Sequence, residues 1–112
     1  MFFPEGSVRV FLYSAITDMR KSFDGLSALT KHVLLEDPLS GSLFVFLNRR
    51  RTLVKVLYFD RSGYCVWSKR LERGRFAARH DGLKHALSCT QLKLLLEGIE
   101  LTNIRQKKRF SL

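Results

Sequence analysis

Acidic residues are scarce in this 112-residue chain: ten Asp and Glu stand against twenty Lys and Arg, a formal net charge of +10. Cysteine is scarcer still. Cys65 and Cys89 alone cannot build a disulfide framework, so reduced thiols and a cytoplasmic setting are expected. Proline occurs only at Pro4 and Pro38, and neither a repeat nor a low-complexity segment is present. No apolar run approaches the roughly 20 residues that span a bilayer; stretches such as Leu43-Phe44-Val45-Phe46-Leu47 are strand-sized. The opening Met1-Phe2-Phe3-Pro4-Glu5 lacks a basic segment followed by an apolar one, so no signal peptide and no membrane partner are expected.

Catalytic signatures are missing too. No Gly-rich phosphate loop occurs, and Ser, Cys and His are scattered without a nucleophile pattern. His32, His80 and His85 lack ligand spacing with either Cys, so no metal site is expected. Asp18 and Asp24 suit helix starts, while Asp37 and Asp60 suit turns, which leaves no carboxylate cluster for Mg²⁺. The expectation is a protein without catalytic residues or cofactor.

What is present is apolar bulk and unevenly placed positive charge. Hydrophobic residues make up 46% of the chain, with nine Phe, enough for one modest core. One α+β domain over residues 1–104, followed by a basic tail over 105–112, accommodates that core. Residues 1–48 hold four basic and five acidic groups; residues 49–112 hold sixteen basic and five acidic. A compact domain carrying +11 in one half is suited to a polyanion, and nucleic acid is the leading candidate.

Val8–Tyr13 is β-rich and reads as a strand. Asp18 or Ser22 is placed to cap a helix whose Phe23, Leu26, Leu29 and Val33 share one face. Glu36-Asp37-Pro38 stops that helix and Ser40-Gly41 turns the chain. Three strands follow, Leu43–Asn48, Leu53–Asp60 and Tyr64–Leu71, joined by Arg49-Arg50-Arg51-Thr52 and by Arg61-Ser62-Gly63, where Gly63 is free to take a positive φ. Residues 77–87 read as a loop or short strand. Ser88 with Gln91 then forms a capping box for a last helix, with Leu92, Leu95, Leu96 and Ile99 as its apolar stripe and Gly98 near its end. The expected architecture is an antiparallel sheet of about four strands with two packed helices.

The candidate phosphate ligands are Arg49, Arg50, Arg51, Lys55, Lys69, Arg70, Arg73 and Arg75, because a meander gathers hairpin ends and arginine bridges phosphate oxygens. Gly74 within that run allows close backbone approach. Tyr64, Trp67 and Phe76 lie nearby in sequence and stacking on bases would use them, but core packing is the expected role. In the tail, Lys107, Lys108 and Arg109 serve either as a flexible phosphate-binding arm or as a solubilising end.

Several blocks resemble the small TnpB accessory proteins of insertion sequence 66-type transposable elements. They are Ile16–Leu26 (with Asp18, Met19, Arg20, Phe23 and Gly25), Asp37–Phe46 (with Asp37, Pro38, Ser40 and Gly41), Lys69–Phe76 (with Arg70, Glu72, Arg73, Gly74, Arg75 and Phe76) and Leu94–Ile99. After Phe76 the chain runs Ala77-Ala78-Arg79-His80, where the family pattern has a proline-containing stretch. The resemblance implies a non-catalytic helper encoded beside a separate, larger transposase, and it carries over no catalytic residue. That transposase is the partner the resemblance implies and DNA the one the charge implies, with transposase binding alone, without DNA contact, as the alternative.

Overall fold

A computed structural model describes residues 8–98 of the chain. The elements in chain order are β1 (Val10–Ile16), α1 (Phe23–His32), β2 (Leu43–Leu47), β3 (Leu53–Asp60), β4 (Gly63–Arg70), β5 (Lys84–Leu87) and α2 (Cys89–Leu96). The strands form one sheet in the order β4-β3-β2-β1-β5.

The reason β2 sits at the centre is written in its composition. All five residues of Leu43-Phe44-Val45-Phe46-Leu47 are buried, so the strand has no polar face and needs cover on both sides. Successive side chains point to opposite faces. Val45 and Leu47 join Val10, Leu12, Val54 and Val56 beneath Leu92, Leu95 and Leu96 of α2. Phe44 and Phe46 join Phe11 and Leu57 beneath Leu26 of α1 and Leu34 just beyond it. One helix therefore covers each face. Phe11 and Phe44 stack with ring centroids 5.8 Å apart, which fills the second core with aromatic surface.

The sheet departs from the antiparallel expectation. β1 and β2 run parallel, with Val10 opposite Leu43 and Tyr13 opposite Phe46, and the ladder shifts before Ile16 meets Leu47. Residues 17–42, carrying α1, form the crossover that a parallel pair requires, which is about a dozen residues or more. The other pairings are antiparallel. The fifth strand is β5, which pairs with the other edge of β1 through Val10–Leu87 to Tyr13–Lys84. It occupies the end of the segment read as loop or short strand.

Local expectations meet mixed outcomes. β3 has the expected bounds, and the Ser88–Gln91 capping box is complete: the Gln91 N–H donates to the Ser88 hydroxyl at 3.0 Å and the Ser88 N–H to the Gln91 side chain at 2.8 Å. Gly98, just past α2, takes φ of 82°. The α1 stripe is displaced. Leu26 and Thr30 are buried, whereas Phe23 and Val33 are 47% and 50% exposed. Thr30 is tolerated there because its hydroxyl donates to the Leu26 carbonyl at 2.9 Å. Ser22, not Asp18, precedes the helix, and its side chain makes no capping bond. In the β3–β4 turn the positive φ falls on Arg61 (52°), because Gly63 is used as the ladder partner of Asp60.

Candidate functional site

The sheet has two unlike ends. The register pairs Leu53 with Arg70 at one end of the β3–β4 hairpin and Asp60 with Gly63 at the other, roughly 23 Å away for seven strand steps. The β2–β3 turn and the segment leaving β4 lie together at the first end. Leu71 N–H donates to the Thr52 carbonyl at 2.8 Å and Phe76 N–H to the Arg51 carbonyl at 2.6 Å, so residues 71–76 are laced onto the turn. Of the basic residues from Arg49 to Arg75, only Arg61, which is not among the candidate phosphate ligands, lies at the opposite end.

Asn48 builds that turn. Its side-chain oxygen accepts from Thr52 N–H at 2.9 Å and Leu53 N–H at 3.1 Å, and its carbonyl accepts from Arg51 N–H at 3.1 Å. Arg51 closes it with φ of 58°, a conformation in which glycine would be less strained. Gly74, at φ of 74°, lets the next segment turn back toward the sheet. Phe76 anchors the segment because its ring is wholly buried among Val54, Val56, Leu92 and Leu95. Trp67 and Tyr64 pack on the two cores from opposite faces of β4. Phe76 is thus a core residue, as expected, while Trp67 and Tyr64 are partly buried against the cores, Tyr64 near the far end of the hairpin.

The cations divide into two groups. Lys55 points across the α1 face and donates to the carbonyls of Met19 at 2.7 Å and Lys21 at 2.8 Å. Lys69, on the other face, donates to the Leu96 carbonyl at 2.7 Å and so caps the C-terminus of α2. Arg51 donates to the Ala78 carbonyl at 2.6 Å. These three charges are occupied by backbone. Arg70 reaches Glu72 at 3.3 Å, both side chains being largely exposed, which is a weak contact. Arg49, Arg50, Arg73 and Arg75 are exposed and make no side-chain hydrogen bond or ion pair among the described residues.

Arg79 joins the same end, although sequence reading passed over it. Its carbonyl accepts from the buried Ser14 hydroxyl of β1, and its own side chain is exposed. The neighbouring His80 ring lies 3.3 Å from the Ser14 carbonyl and 3.2 Å from that of Arg49. These contacts span more than 30 positions and left no local signal. They also show how Ala77-Ala78-Arg79-His80 is fastened without proline.

The remaining motif residues lie in two loops and one helix. Asp18, Met19 and Arg20 follow β1. Arg20 Nε donates to both Asp18 carboxylate oxygens at 3.1 Å, its Nη2 to one of them at 2.7 Å, and its backbone N–H to the other at 2.9 Å. Those bonds, side-chain ones first, hold the Asp18 carboxyl down to about 2. Phe23 and Gly25 lie in the first turn of α1. Asp37 accepts from Leu39 N–H at 2.9 Å and its carbonyl from Ser40 N–H at 3.1 Å, and Pro38 stands between them. The Ser40 hydroxyl accepts from Ser42 N–H at 3.2 Å, and Gly41 takes φ of 85°. Lys107, Lys108 and Arg109 lie outside the described residues.

Among the described residues no three His, Cys, Asp or Glu side chains are grouped to hold a metal ion. No described helix is long and apolar enough to cross a membrane.

Comparison with known proteins agrees with the sequence blocks. Residues 8–106 match the family described as IS66 Orf2 like protein. The chain is 43% identical over 99 residues to the uncharacterized protein y4hO of Sinorhizobium fredii (strain NBRC 101917 / NGR234), covering 87% of this chain and 86% of the relative. It is 33% identical over 109 residues to the uncharacterized protein y4jC of the same organism, covering 96% and 92%. No solved structure matches. With all of the described fold inside the match, the chain belongs to the IS66 Orf2-like family of transposition-associated accessory proteins.

Proposed function

We propose that this protein is a non-catalytic accessory factor of transposition that binds nucleic acid through the cationic end of its sheet and works with a separate transposase. One observation carries the reading. Arg49, Arg50, Arg73 and Arg75 stand exposed and without side-chain partners among the described residues, on two segments laced together by backbone hydrogen bonds. Backbone held in that way brings the arginines to one place, and their planar guanidiniums bridge phosphate oxygens bidentately. Arg79 extends the surface, while Lys55, Lys69 and Arg51 support its scaffold.

Fluorescence anisotropy against transposon-end and unrelated duplexes tests the reading. Affinity falls linearly with salt on logarithmic axes, with a slope of about -0.9 per phosphate neutralised. Replacing Arg49, Arg50, Arg73 and Arg75 together by Ala flattens that slope by roughly three to four and weakens binding to every sequence alike. Absence of binding at low salt overturns the proposal.

A second reading, an adaptor that meets the transposase without touching DNA, draws on the loop after β1. Asp18 and Arg20 neutralise each other there, and Ile16 and Phe23 on either side are 46% and 47% exposed. That combination suits a protein surface. Co-purification with the transposase from nuclease-treated lysate, lost on Phe23→Ala while DNA binding is absent, selects this reading over the first.

A further inference from the structure

The end of the molecule opposite the arginines carries its own surface. After α1 the chain passes through Val33 and Leu34 to Leu35, whose φ is 57° and whose side chain is 79% exposed. Glycine takes that conformation without strain and would expose no apolar surface. That turn lets the Glu36 N–H reach the Thr30 carbonyl at 3.0 Å, but nothing inside the described fold covers the leucine side chain. Leu39 is 55% exposed, and together with Ala28, Pro38 and Tyr64 the two leucines line an open groove of about 760 Å³.

Charge narrows the choice of occupant. Among the described residues this end carries Arg9, Lys31, Arg61 and Lys84 with Glu36, Asp37 and Asp60, a net of +1, while the molecule as a whole carries +10. Glu36 and Lys84 are already paired. Lys31 makes no side-chain bond among the described residues, and the Asp37 carboxylate accepts only from the Leu39 N–H. Both lie on the groove wall. An unspent cation and an unspent anion flanking one apolar groove satisfy the requirement of a twofold contact, in which each surface must complement itself. Two bodies of charge +10 also repel least when they meet across their near-neutral ends.

We propose that a second copy of this chain occupies the groove, forming a symmetric dimer with Leu35 and Leu39 at its centre and Lys31 of each copy against Asp37 of the other. The two cationic ends then face away from each other, which presents two separate phosphate-binding surfaces on one particle. The proposal does not depend on what those surfaces bind.

Sedimentation velocity of the full chain across micromolar to submillimolar concentrations is the test. The expected result is a concentration-dependent dimer whose Kd rises at least tenfold on Leu35→Gly, with the melting transition of the dilute protein kept in place. Lys31→Glu and Asp37→Lys each weaken the dimer, and mixing these two variants restores it, because each then supplies the charge the other lacks. A monomer at every concentration overturns the proposal, as does a dimer indifferent to Leu35→Gly and to both charge reversals. Groove variants that weaken capture of the transposase while the wild-type chain stays monomeric assign the groove to that protein instead, and equally overturn it.

Discussion

Lys55, Lys69 and Arg51 differ from the exposed arginines in what their charges touch. The Lys69 ammonium caps α2 by donating to the terminal Leu96 carbonyl, and its side chain is half-buried. Lys69→Met removes that bond and lowers stability by about 1–2 kcal/mol in urea denaturation. Arg73→Ala, at an exposed position without a partner among the described residues, stays within about 0.5 kcal/mol. Opposite behaviour of the two variants would reverse the division drawn between scaffold and surface cations. Asp18 offers a pH test at the same scale. Its folded carboxyl titrates at about 2, below the ordinary 3.8, because Arg20 binds the charged form. A carboxyl lowered on folding stabilises the folded state above its unfolded value, and that contribution disappears as pH falls through the folded one. NMR titration of the Asp18 side chain gives a midpoint near that value, and Arg20→Ala moves the midpoint back up.

Secondary elements were legible in proportion to how local their causes are. Strand β3 and the α2 cap depend on neighbours within a few positions, and both lie where the flanking turns and the Ser88–Gln91 spacing put them. The β1–β2 pairing does not. Leu43–Leu47 announces a strand through five apolar residues, but apolar content does not say which way the partner runs. Only the burial of both faces, under α1 and α2, reveals the parallel neighbour. The displaced α1 stripe has the same origin: Thr30 replaces Val33 on the buried side because its hydroxyl is satisfied within the helix. Arg79 was invisible for a different reason, since the contacts that bring it to the arginine end come from β1. At this scale Phe46→Ala, in the central strand, lowers stability by about 3–5 kcal/mol, and Ser88→Ala by about 1 kcal/mol. Equal losses in the two variants would contradict a sheet centred on β2.

The whole molecule is polarised. Its arginine-rich end gathers Arg49, Arg50, Arg70, Arg73, Arg75 and Arg79, with Glu72 and Asp81 the nearby acids in those segments. Crowded like charge lowers stability, and salt relieves it over a Debye length of about 8–10 Å. The melting temperature therefore rises with sodium chloride. A short duplex raises it further at low ionic strength, because a ligand bound only by the folded form stabilises that form. The variant lacking Arg49, Arg50, Arg73 and Arg75 shows a smaller rise with either addition in differential scanning fluorimetry. A full duplex effect in that variant would move the binding surface elsewhere.

Lys55 threads from the middle of the hairpin to the loop that follows β1, and its ammonium holds Met19 and Lys21 by their carbonyls. Lys55→Met would leave both carbonyls without that donor and loosen the Asp18–Arg20 loop from the hairpin. One side chain thus buttons the loop after β1 to the hairpin that bears the arginine turn.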